Sequence, residues 1–201
     1  MRALVRCALG LALLAAHAGA SAGAQIYEPL ALDVQTALSK AVSDRAPPIS
    51  GFASKVDEVN WLSAMSQRLD TRMQDFKTRI AFLKSVHYEA VRAGLDPQLV
   101  LGLIQVESGF NKYAVSSAGA RGYMQVMPFW VNLIGAKSDD LFDMRKNLRY
   151  GCVILRYYLK VENGDLFRAL GRYNGSLGKA DYPRAVLAAW KNRWHYDGKI
   201  Y

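Results

Sequence analysis

Glu107 is the residue of this chain best placed to do chemistry. It closes a stretch in which Leu99, Val100, Leu101, Leu103, Ile104 and Val106 surround a helix with apolar side chains. A carboxylate at the end of such a helix is desolvated, which favours the neutral acid. The helix C-terminus carries roughly −0.5 of partial charge, which pushes the same way. Both effects raise its proton affinity toward what a general acid needs near neutral pH. By position alone, a solvated residue at a helix end is the competing description.

No second carboxylate announces itself as a partner. Most glycosidases set two Asp or Glu residues across the scissile bond. Asp139, Asp140 and Asp143 are candidates by distance along the chain, but each stands at a helix start, where capping accounts for it. Metal chemistry has less support: of the residues expected to survive export, the histidines are His87 and His195, far apart and without ligand spacing. No metal and no cofactor are expected. Neither a Gly-rich phosphate loop nor a Gly-x-Ser-x-Gly elbow occurs, and Ser108 has no neighbouring histidine to act as its base.

The chain that must position Glu107 has 201 residues, 51% hydrophobic and 21% charged, with a net charge of +9. That is enough for a real core, too apolar for a disordered chain, and too poor in cysteine for a disulfide scaffold. Residues 1–24 read as a secretory signal peptide. Arg2 and Arg6 make a positive start, residues 7–16 are an apolar run too short to span a bilayer, and Ala22-Gly23-Ala24 offers a cleavage site before Gln25. The expected product is an exported, periplasmic protein with no integral membrane span. Its one remaining cysteine, Cys152, falls on the stripe Leu148, Cys152, Leu155, Leu159, as a buried thiol does. The positive balance suits an anionic polymer. The lack of a basic helix or clustered Arg/Lys block argues against nucleic acid.

Along the chain, residues 25 to about 54 are mixed, with Pro47-Pro48 breaking any helix, and read as a leader or lid. Over residues 55–92, Leu62, Met65, Leu69, Met73, Phe76, Ile80, Leu83 and Val86 recur at helical spacing, so one long helix or two shorter ones pack one face. Gly94 ends that stretch, and Asp96-Pro97 opens the helix that carries Glu107. Residues 111–122, rich in Ser, Ala and Gly, are loop. A short helix over Phe129–Ile134 follows Pro128. Asp143 caps a helix to about Val161, Asp165 caps another that stops at Asn174-Gly175, and Asp181 with Pro183 starts the last. No β alternation is sustained, so the fold class is mainly α.

Several ordered blocks give this pattern a likeness. Glu107-Ser108-Gly109-Phe110, Ala114-Val115-Ser116, Gly119-Ala120-Arg121-Gly122-Tyr123-Met124-Gln125 and Pro128 resemble the catalytic block of the SLT-type lytic transglycosylases, soluble lysozyme-like enzymes that cleave bacterial peptidoglycan. Leu141-Phe142-Asp143, Asn147, Gly151, Gly164-Asp165 and Arg172-Tyr173-Asn174 come next, in the family's order. The likeness covers about residues 82–194. It departs from the family where G-L-M-Q reads Gly122-Tyr123-Met124-Gln125 and A-Y-N-A-G reads Arg172-Tyr173-Asn174-Gly175-Ser176, changes that bear on the groove rim.

The resemblance implies a lysozyme-like SLT domain over residues 82–201 behind an N-terminal helical extension, residues 25–81. It further implies that Glu107 is catalytic and makes both proton transfers, and that the substrate is the glycan strand of peptidoglycan. Tyr173 would orient Glu107; Ser108, Gln125, Tyr173 and Asn174 would line the sugar subsites, and Met124 the groove wall. A hydrolytic muramidase is the nearest alternative. A non-catalytic wall-binding accessory of an envelope-spanning secretion or conjugation complex is a second, motivated by the extension that the likeness does not reach.

Overall fold

A computed structural model describes residues 25–43 and 51–198. The signal-peptide reading of residues 1–24 and the Pro47-Pro48 break fall outside the described residues. Among the described residues eight α-helices succeed one another: α1 (Leu32–Ser43), α2 (Lys55–Leu69), α3 (Phe76–Arg92), α4 (Pro97–Ser108), α5 (Phe129–Ile134), α6 (Met144–Val161), α7 (Leu166–Asn174) and α8 (Asp181–Ala189). A π-helical turn, Trp190–Trp194, continues α8. Among the described residues there is no β-strand, only isolated bridges pairing Val115 with Arg121 and Arg121 with Val126. The expected mainly α class is what forms.

Local chemistry sets most of the helix boundaries. Asp75, Asp96, Asp143 and Asp165 each stand in extended backbone just before a helix and accept a hydrogen bond from a first-turn N–H. Residues 55–92 resolve into two helices, not one. The break falls between Leu69 and Phe76, where the Asp75 carboxylate takes the Thr78 N–H at 2.7 Å and so restarts the helix. Helix α1 is the element that the mixed composition of residues 25–54 concealed. It has a single fully buried residue, Val42, and leans on α5 and α6.

Helix α4 is the spine. Residues 97–104 are buried on every face, as its continuous apolar character requires. It packs against α3, α8 and the π-helical turn. Two indole N–H groups from that turn grip it near both ends: Trp190 Nε1 donates to Asp96 at 3.2 Å and Trp194 Nε1 to Gln105 at 2.9 Å. At Gly102 the backbone of Trp190 comes so close that an added Cβ would lie 2.9 Å from its nitrogen. The absent side chain is what lets α8 lie directly on α4.

Trp61, Met65 and Leu69 of α2 and Phe82, Leu83 and Val86 of α3 share one apolar cluster with α4, α6 and α7. The amphipathic residues of 55–92 therefore pack onto the helices C-terminal to them. Between α3 and α6, the buried Glu89 carboxylate accepts from Arg149 at 2.8 Å and from Arg92 at 3.1 Å. Cys152 is 1% exposed, and burial drives its thiol pKa well above the ordinary range, so it is an inert core residue. None of the helices among the described residues is long and apolar enough to cross a membrane.

Candidate active site

Glu107 sits in the last turn of α4. Gly109, at φ +57, ends the helix in the left-handed conformation that a side chain would strain. The chain is thereby turned away one residue past Ser108, and Glu107 faces the first turn of α8. There the Tyr182 hydroxyl donates to Glu107 Oε1 at 2.5 Å. Although the residue keeps partial exposure, its carboxyl is enclosed. Burial pushes its pKa from 4.5 up to about 8, with the Tyr182 bond pulling weakly the other way. A solvated helix end, the competing description, does not fit a carboxyl held like this.

The loop after α4 doubles back through Val115, Arg121 and Val126. Asn147 of α6 holds this loop in place. It accepts from Met124 N–H and donates to the carbonyls of Arg121 and Leu141, all at 2.8 Å. Ser108 ties the loop to α4: its hydroxyl donates to the Tyr123 carbonyl at 2.7 Å and accepts from Phe110 N–H at 3.2 Å. The end of α4, the loop and α8 are thus one connected scaffold around Glu107.

The other residues singled out from sequence are mostly buried. Tyr173 does not hydrogen-bond Glu107. It is fully buried, and its phenol donates to the Met124 carbonyl at 2.7 Å. The partner of the acid is Tyr182, nine residues further on, and this corrects the expected pairing. Tyr173 remains close enough for the charge of Glu107 to raise its phenol pKa, after burial as the main cause. Met124 is also fully buried, so it packs in the core and is no exposed groove wall. The Gln125 amide turns inward and donates to the Gly122 and Ala114 carbonyls at 3.0 and 3.1 Å, on backbone of positive φ. Asn174 is buried at the end of α7.

The aspartates weighed as a second carboxylate are accounted for elsewhere. Asp139 accepts from Tyr150 at 2.7 Å and pairs with Lys146, Asp140 accepts from Phe142 N–H at 2.8 Å, and Asp143 caps α6. His87 is stacked on Phe52 with ring centres 3.6 Å apart. Trp130, Tyr158 and Trp194 lie in the core. Sequence reasoning passed over Tyr182. A tyrosine between Asp181 and Pro183, in the first turn of a helix, was the signal present.

The family model described as Transglycosylase SLT domain matches residues 84–188, just over half of the chain. The chain belongs to the SLT transglycosylase family. Among SLT relatives, it is 36% identical over 106 residues to a transglycosylase of Enterobacteria phage PRD1, covering 53% of this chain and 36% of the phage protein. It is 49% identical over 127 residues to a membrane-bound lytic murein transglycosylase C of Histophilus somni (strain 2336), covering 55% of this chain and 33% of that protein. The chain thus spans about a third of the length of these relatives. Among solved structures, an inactive mutant of the lytic transglycosylase Slt from Pseudomonas aeruginosa is similar at 20% identity and a TM-score of 0.45, over 66% of this chain and 24% of that one. The SLT match includes Glu107, its partner Tyr182 and the loop that Asn147 holds.

Proposed function

We propose that this chain is a periplasmic peptidoglycan lytic transglycosylase that uses Glu107 as its single acid and base. The observation that carries the reading is an enclosed carboxyl, with a pKa raised to about 8, held by Tyr182 within the region of the SLT match. Such a group is protonated at neutral pH and can give its proton to the glycosidic oxygen between N-acetylmuramic acid and N-acetylglucosamine. Protonation lets the bond break, and the acetamido oxygen of the substrate stabilises the cationic sugar carbon. Glu107, now ionised, takes the proton of the muramoyl C6 hydroxyl while that oxygen attacks C1. A 1,6-anhydro sugar forms and water is not consumed. The Tyr182 hydroxyl stabilises the anionic form, so its hydrogen bond strengthens at the moment the acid has lost its proton. Because the attacking hydroxyl belongs to the bound sugar, the second step is intramolecular.

This cycle needs no second carboxylate, in keeping with Asp139, Asp140 and Asp143 being engaged in caps and turns. The role of a wall-binding accessory to an envelope machine is less well supported. A binding module gains nothing from a carboxyl whose enclosure makes ionisation cost about 5 kcal/mol. Replacement of Glu107 by Gln tests the proposal on purified sacculi. Helicity and wall binding should persist and release of soluble fragments should stop. Release at the wild-type rate by the variant would remove Glu107 from the reaction.

A further inference from the structure

Residues 25–31 precede α1 without regular secondary structure, and Gln25 reaches the loop that follows α4. Their first side chain, Gln25, is 5% exposed. Its amide Nε2 donates to the Gln125 carbonyl at 3.3 Å, and its Oε1 accepts from Met127 N–H at 3.1 Å. The two backbone groups flank Val126, so together they read one planar amide, donor and acceptor side by side. The loop that Gln25 enters is tied to α4 beside Glu107 by Ser108, whose hydroxyl donates to the Tyr123 carbonyl at 2.7 Å. A buried amide thus enters the loop that Ser108 ties to the acid's own helix.

Beyond Gln25 the strap has one core contact, at Leu30, and is otherwise mostly exposed. Ile26 and Tyr27 are more than half exposed, with Tyr27 edge-on to Phe129 at 5.6 Å. Glu28 meets Arg172 at 3.4 Å in an exposed ion pair of the kind that contributes little. One inserted amide followed by mostly exposed residues is what a displaceable occupant looks like. A permanent wall would be anchored along its length.

We propose that residues 25–31 are a built-in competitor for the sugar site, the Gln25 side chain occupying the Gln125 carbonyl and Met127 N–H that an N-acetyl group of the glycan would use. An acetamido group presents the same N–H donor and C=O acceptor as the Gln25 amide, so one backbone pair serves either but not both. The inference rests on the lytic transglycosylase reading for the identity of the ligand. Binding of a glycan must first unseat Gln25, and apparent affinity falls by the fraction of molecules with the strap out.

The test uses the full chain carrying Glu107→Gln, to stop turnover, and tetra-N-acetylchitotetraose as an uncharged acetamido-bearing probe, titrated by calorimetry. Adding Gln25→Ala should tighten binding about tenfold, the factor for a strap seated roughly nine-tenths of the time. Adding Glu28→Lys, which sets two cations against each other outside the site, should tighten it about two- to threefold. Unchanged or weaker binding in the Gln25→Ala protein, or no binding by any variant, overturns the proposal. Fragment release by the Glu107-bearing chain, measured in parallel, tells whether the strap reading alone has failed or the activity with it.

Discussion

Glu107→Gln should stabilise the fold in a pH-dependent way. The carboxyl has a pKa of about 8 in the folded chain against 4.5 as the ordinary value, so the native state binds its proton more tightly than the unfolded chain does. A pKa raised on folding contributes stability that is complete below about pH 4.5 and drains away as pH rises toward 8. At pH 7 the folded group is still protonated while the unfolded one has ionised, which costs the native state about 3 kcal/mol relative to pH 4. Glutamine cannot ionise and can still accept from the Tyr182 hydroxyl. The stability of the variant minus that of wild type should therefore grow by about 3 kcal/mol between pH 4 and pH 7. For a chain of this size that is an increase of roughly 6–12 °C in the Tm difference. Urea unfolding of both proteins at the two pH values measures it, and every other titrating group cancels in the difference. Parallel stabilities at both pH values would refute an enclosed, protonated carboxyl.

Removing the Tyr182 hydroxyl as Tyr182→Phe deletes the bond that lowers the Glu107 pKa, so the alkaline limb of the kcat/KM profile should move to higher pH while kcat falls about ten- to a hundredfold; an unmoved limb would deny the contact a functional role. Asn147→Ala orphans the Met124 N–H and two carbonyls at once, and should cost about 3 kcal/mol in urea unfolding; a loss under about 1 kcal/mol would show that the loop does not depend on it. Gly102→Ala forces a methyl against the Trp190 backbone, which should part α8 from α4, cost about 1–3 kcal/mol and lower fragment release through displacement of Tyr182. Wild-type release rates from a variant of lowered Tm would detach that crossing from catalysis.

The parts of this fold that were legible in sequence are those decided locally. Asp96-Pro97, Asp143 and Asp165 cap their helices from adjacent positions, and the boundaries of α5, α6 and α7 come from such neighbours. Glu107 stood out because its own helix is apolar all round, and enclosure of its carboxyl is the result. What stayed hidden depends on contacts remote in sequence. Tyr182 reaches Glu107 across 75 positions, and no local pattern tells which of Tyr173 and Tyr182 will face the acid. Tyr173 continues an apolar stripe on α7 and is drawn inward with it, where its hydroxyl donates to the Met124 carbonyl. Gln25 bonds to the Met127 backbone 102 positions away, a contact that hydrophobic periodicity cannot register. Helix α1 does carry an apolar period, Val34, Leu38, Ala41 and Val42, but the stretch is short, and the mixed composition and Pro47-Pro48 around it outweighed that signal.

The proposed cycle of one carboxyl acting twice is tested most directly by the mass of what is released. Sacculi digested with the wild-type chain should yield muropeptides ending in a 1,6-anhydro sugar, each one water lighter than the hydrolysed equivalent, and digestion with Glu107→Gln should yield none. Products carrying a free reducing end would contradict the account and make the enzyme a hydrolase.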